Sequence, residues 1–187
     1  ASTIHAGINS DTKVPVGDPG EAQKRGAVAI SCQINLGSNN EGEMIRDAGL
    51  LTSAALSHDM PVLGMIYPRG PGLIPIEGDK TNGVAHAARL AWELGCHVAK
   101  VPWTGSADSF HDVCSSVPIP VLIAGGQPNI SFAQTLEIVE TAISVGGAGV
   151  CMGRQIFEAN DRIDRIRALR AVIHEGKTSN EAIQMMG

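Results

Sequence analysis

The stretch His97-Val98-Ala99-Lys100-Val101-Pro102-Trp103 decides the reading of this chain. It lies between a helix-like segment that closes at Gly95 and the turn Thr104-Gly105-Ser106. Its composition predicts a short buried strand that carries a lysine. The lysines are Lys13, Lys24, Lys80, Lys100 and Lys177; only Lys100 is bracketed by Val98, Ala99 and Val101, and the others stand among polar or turn residues. Burying an ammonium is costly, so such a lysine neutralises or finds a partner. A desolvated lysine amine is also what Schiff-base chemistry needs. The competing reading is a lysine whose head snorkels out at a strand end.

Composition narrows the setting. With 187 residues and 43% hydrophobic content, the chain holds enough apolar material for one core, and a single domain over 1–187 is expected. The net charge of -5 favours neither nucleic acid nor an anionic membrane as partner. No run of 18 apolar residues suggests a spanning helix, and no signal-peptide pattern opens the chain. The six histidines form no HxxxH or His/Cys cluster, so no metal is expected. Cys32, Cys96, Cys114 and Cys151 form no CxxC pair and lie mostly in apolar runs, which fits reduced thiols and a cytoplasmic setting.

Outward from the lysine stretch, strand and helix signals alternate. Asp18 and Pro19 predict an N-cap and first turn for a short helix that ends at Gly26. Apolar runs at 27–36 (AVAISCQINL), 61–67 (PVLGMIY), 120–124 and 149–152 read as buried strands, and 3–7 as the tail of another. Helices are predicted over 41–57, 82–94, 106–115, 131–145 and 161–174. The 161–174 helix has apolar residues at 163, 166, 169, 172 and 173. A last short helix over 179–186 takes Ser179 as its N-cap. Strands buried on both faces imply a parallel sheet. A doubly wound sheet and a (β/α)8 barrel both fit. No GxGxxG or P-loop is present, and Tyr67, Lys100, Gly125-Gly126 and Gly153-Arg154 all fall at strand C-termini, where barrels place their sites. The two glycine turns follow the last two strands, a position that commonly holds phosphate in barrels, and a guanidinium suits phosphate oxygens. Ordinary βα turns would also look like this. Six strands are counted against the barrel's eight, so the first two βα units are expected to be missing from an N-terminally truncated barrel.

Several motifs then resemble one family in order and spacing, over about four fifths of the chain. They are residues 60–70 (MPVLGMIYPRG), 84–89 (VAHAAR), 93–100 (ELGCHVAK), Ser109-Phe110, 120–126 (PVLIAGG) and 149–154 (GVCMGR). The chain resembles the archaeal-type class I aldolases, a group comprising fructose-bisphosphate aldolase and aminodideoxyheptulosonate synthase. The resemblance implies a (β/α)8 TIM barrel, entered near its third strand and running to its eighth. It implies Lys100 as Schiff-base lysine, Tyr67 as acid/base, and Gly125, Gly126, Gly153 and Arg154 as the substrate phosphate site. It further implies a phosphorylated sugar substrate, no cofactor, and a homo-oligomer. The family's first-strand aspartate has no match here. Gln127-Pro128-Asn129 stands where the family has Pro-Lys, Trp103 to Ser106 where it has Tyr-Thr-Gly-Asp, and Gln155 where it has Asn. The run from Gln33 to Ser38 is more similar to the synthase branch. A non-catalytic fragment acting by association is the rival expectation, and a thiolase-like acyltransferase relative ranks third.

Overall fold

A computed structural model describes residues 12–70, 81–125 and 130–186. Five strands form one parallel sheet in sequence order: β1 (Ile30–Leu36), β2 (Val62–Pro68), β3 (Val98–Val101), β4 (Val121–Ala124) and β5 (Gly149–Cys151). Between them run α2 (Glu41–Leu56), α3 (Thr81–Glu93), α4 (Ala107–Ser115) and α5 (Phe132–Ser144). Helix α1 (Pro19–Lys24) precedes β1; α6 (Arg154–Phe157), α7 (Arg162–Glu175) and α8 (Ser179–Gln184) follow β5. Unbroken sequential order with a helix after each strand is the pattern of consecutive units in a (β/α)8 barrel, and a doubly wound sheet would reverse its order. The sixth expected strand, at 3–7, lies outside the described residues.

The helix side of the sheet is the core. Cys32, Ile34 and Leu36 of β1, Val62 and Ile66 of β2, Ala99 and Val101 of β3, and Val121 and Ile123 of β4 are all buried there. Against them pack Met44 and Ala48 of α2, Ala87, Ala88 and Ala91 of α3, and Phe110 and Val113 of α4. Small residues on α3 let it lie close to the strands. Gly64 shows how close. A Cβ there would sit 2.8 Å from Cys96 Sγ and 3.2 Å from Ala91 Cβ. Gly64→Ala should therefore destabilise by about 1–3 kcal/mol, since a filled core resists an added methyl. Denaturant unfolding checks it, and Cys96→Ala in the same chain should recover part of the loss. An unchanged midpoint would contradict this packing.

Local signals behave as their chemistry demands, with three corrections. Asp18 caps α1 through its side chain, 3.0 Å from the Glu21 N–H, with Pro19 in the first turn. The first strand begins at Ile30 rather than 27, because Val28 is 86% exposed and outside the ladder. Helix α7 buries Ala168, Leu169, Ala171 and Val172, while Ile163 and Ile166 face outward. Its inner stripe is thus shifted towards alanines, which an apolar count overlooks. The cap of α8 is Thr178, in a reciprocal capping box with Glu181, and Ser179 is buried. Hydrogen bonds from Thr178 hold the Glu181 carboxyl below its usual range.

Candidate active site

Alternation along each strand sends every second residue to the face opposite the helices. On β3 this separates Lys100 from Ala99 and Val101, which are fully buried beneath the helices. Register aligns Gln33 of β1 with Met65 of β2, Met65 with Lys100, and Lys100 with Leu122 of β4. Paired residues of parallel strands share a face, so these four side chains form one row. One layer nearer the C-terminal ends, Asn35 is aligned with Tyr67. Two residues along and one strand across place Tyr67 and Lys100 roughly 8 Å apart at Cα.

The row opens into a cleft of about 380 Å³. Its walls include Gln33, Met65, Tyr67, Lys100, Gly125 and Arg154, so four of the residues named from sequence meet in one place. Lys100 is half-buried, and its Nζ meets Met65 Sδ at 4.0 Å. No carboxylate pairs with it among the described residues. Lys13, though it stands among polar and turn residues in sequence, is 3% exposed and more deeply buried than Lys100. Lys13 borders a separate cavity of about 260 Å³ at the outer edge of β1, against α1 and α2. Tyr67 is half-buried, with the Arg69 guanidinium 4.2 Å from its ring centroid. Behind the lysine strand, Trp103 packs on Phe110 with ring centroids 5.1 Å apart.

The glycine turns expected to hold phosphate differ in their local geometry. Gly125 and Met152 follow the last paired residues of neighbouring strands, because β4 and β5 are paired up to Ala124 and Cys151. However, the Gly125 N–H donates to the Cys151 carbonyl at 3.2 Å. This amide completes the sheet and does not point at a ligand. Glycine is required there for a packing reason, since a Cβ would lie 2.1 Å from Met152 Cβ and 2.7 Å from its Cα. Gly125→Ala should cost about 3 kcal/mol by forcing β4 and β5 apart. Thermal unfolding checks that; a variant as stable as the parent chain would refute the contact. Gly153 is different. A Cβ there would meet the Phe157 ring at an ordinary contact distance of 3.6 Å, so among the described residues no clash requires glycine. Arg154 opens α6, is exposed, and has no carboxylate partner among the described residues. Helix α6 was not predicted from sequence. It is anchored by Thr135, whose Oγ1 donates to Gln155 Oε1 at 2.8 Å, and by Arg165, whose Nη1 donates to the Gln155 carbonyl at 2.8 Å. Gly126 lies outside the described residues, as do residues 127–129.

Two cleft residues escaped the sequence reading. Gln33 and Met65 sit inside runs treated as uniformly apolar. The signal was present in β1, where Ser31, Gln33 and Asn35 alternate with Cys32, Ile34 and Leu36. That period of two marks a strand with one polar face. Among the described residues, no three His, Cys, Asp or Glu side chains come together as a metal-ligand set.

A lysine at mid-strand, a tyrosine one layer above it and an arginine at the last described βα turn thus line one cleft of a parallel barrel sheet. The model of the DeoC/LacD family aldolases matches residues 2–159, and the chain belongs to this family. It is 34% identical over 183 residues to 2-amino-4,5-dihydroxy-6-oxo-7-(phosphonooxy)heptanoate synthase of Streptomyces griseus, covering 97% of this chain and 65% of that one. It is 36% identical over 162 residues to 2-amino-3,7-dideoxy-D-threo-hept-6-ulosonate synthase 1 of Archaeoglobus fulgidus, covering 87% of this chain and 59% of that one. The chain thus spans about two thirds or less of the length of these relatives. Among solved structures, it superposes on an archaeal fructose-1,6-bisphosphate aldolase whose catalytic lysine is covalently bound to the carbinolamine intermediate of the substrate. The TM-score is 0.80 at 29% identity, with 87% of this chain and 64% of that one covered.

Proposed function

We propose that this chain carries the Schiff-base half of a class I aldolase acting on a phosphorylated ketose. The observation that carries the reading is Lys100, mid-strand in the cleft and without a carboxylate partner among the described residues. As a free amine, its Nζ adds to the ketone carbonyl of the substrate. The carbinolamine loses water and becomes an iminium. In cleavage, the electron pair of the adjacent C–C bond flows to the iminium nitrogen and leaves an enamine. The hydroxyl on the departing carbon gives up its proton as the aldehyde forms, and Tyr67 is the group that takes it. In synthesis the same tyrosine returns that proton to the nascent alkoxide. Arg154, exposed and lining the cleft, supports a phosphate contact at the far end of the substrate. Gly125 supports it indirectly, by holding β4 against β5.

The test is reductive trapping. The intact protein is incubated with dihydroxyacetone phosphate and borohydride, which reduces the iminium to a stable secondary amine. Peptide mass analysis should find the adduct on Lys100. A label on any other residue, or none at all, would overturn the reading.

A further inference from the structure

We propose that Gln33 is a specificity-determining residue that accepts a hydrogen bond from a substrate hydroxyl on the carbon next to the Lys100 iminium carbon. This rests on the Schiff-base reading above and adds the substrate group that the cleft would select. Three observations lead to it. First, Gln33 is joined to Lys100 through Met65 in one register row, on the same face of the sheet, and lines the same cleft. Two strand spacings put their Cα atoms roughly 10 Å apart. Two side chains that flank Met65 and line one cleft leave room between them for a few substrate atoms. Second, the lysine leans towards β2, since its Nζ contacts Met65 Sδ at 4.0 Å. The bound carbon is therefore on the β1 side of the cleft.

Third, the Gln33 amide is oriented. Its Nε2 donates to Asn35 Oδ1 at 3.2 Å, and Asn35 is 1% exposed. A fully buried asparagine is a fixed acceptor, so the glutamine nitrogen stays on that side. The Gln33 Oε1 is then the group left over, and no donor reaches it among the described residues. A part-buried carbonyl oxygen of this kind is satisfied by a donor, and its chemistry excludes substrate carbonyls and phosphates. A hydroxyl is the donor that a ketose brings beside its carbonyl. A site built to hydrogen-bond a hydroxyl discriminates against the analogue without it, because the buried acceptor would be left unpaired.

The experiment compares two ketones of the same phosphate class in borohydride trapping by the intact protein: dihydroxyacetone phosphate, and hydroxyacetone phosphate, which lacks the hydroxyl in question. Gln33→Met keeps the length of the side chain and removes the acceptor, and Gln33→Glu keeps an acceptor. In Gln33→Met, the half-saturating concentration of dihydroxyacetone phosphate should rise roughly five- to tenfold. That of hydroxyacetone phosphate should stay within about twofold. Gln33→Glu should return part of the preference. A merely structural role would move both ketones together, so an equal loss for both overturns the proposal. So does an unchanged ratio. Failure of the parent protein to trap either ketone sinks the Schiff-base reading itself, and this inference with it. If Gln33→Met does not fold, the ratio in Gln33→Ser decides on the same terms.

Discussion

Lys100→Met is expected to lower turnover by roughly 10⁴-fold or more and to abolish borohydride trapping, with little change in stability. The argument is local. Among the described residues Lys100 has no ion pair to lose, and a methionine fits the space beside Met65. Its backbone is held by Ala99 and Val101, whose side chains are buried on the other face. Removing the amine therefore subtracts a nucleophile and not a support. Lys100→Arg sharpens the point. It retains a positive charge but presents a guanidinium that stays protonated and forms no Schiff base. If the charge alone mattered, the arginine variant would keep substantial activity. Steady-state assays with a phosphoketose, beside thermal unfolding, decide between the two. Residual turnover above about 1% in Lys100→Met would refute the covalent route.

Tyr67→Phe carries the second large effect. Loss of the phenolic hydroxyl should reduce kcat by about 10²- to 10⁴-fold, the range for a positioned acid/base group. The variant should still form the trapped adduct, because imine formation precedes the step that the tyrosine serves. Its fold should survive. Arg69 lies over the ring at 4.2 Å, and attraction of a guanidinium to the ring face needs no hydroxyl. Activity and trapping thus separate in this variant and vanish together in Lys100→Met. A Tyr67→Phe enzyme within about threefold of the parent rate would reduce Tyr67 to a wall of the cleft.

Much of the architecture could be read from residues alone, and the reasons are physical. A helix start with a strong donor-acceptor signature, Asp18-Pro19, falls where the side chains say. The lysine stretch is legible because a cation among Val98, Ala99 and Val101 is rare in a strand. What stayed hidden depends on neighbours distant in sequence. Gly125 looked like a ligand-facing glycine, and only the approach of Met152 reveals its packing role. Lys13 looked like a loop lysine until the edge of β1 enclosed it. Ile163 and Ile166 looked like part of the core stripe with Leu169 and Val172, yet Ala168 and Ala171 join those two on the inner face of α7 instead. Gln33 is hidden inside a run that is apolar on average and shows only in the run's alternation.

The opposite facings of Lys100 and its two neighbours give β3 a parity. Odd residues go under the helices and even residues into the cleft. The phase of that count is set upstream, in the link from α3 to β3. There the Gly95 N–H bonds the Trp92 carbonyl, the Cys96 N–H bonds that of Ala91, and the His97 N–H bonds that of Val62. The link can therefore drift in composition but not in length by a single residue. One inserted or deleted position would present Ala99 or Val101 to the cleft and drive an ammonium into the apolar layer. Homologous chains should accordingly vary in what they place at positions 94–97 and agree on how many residues they place there.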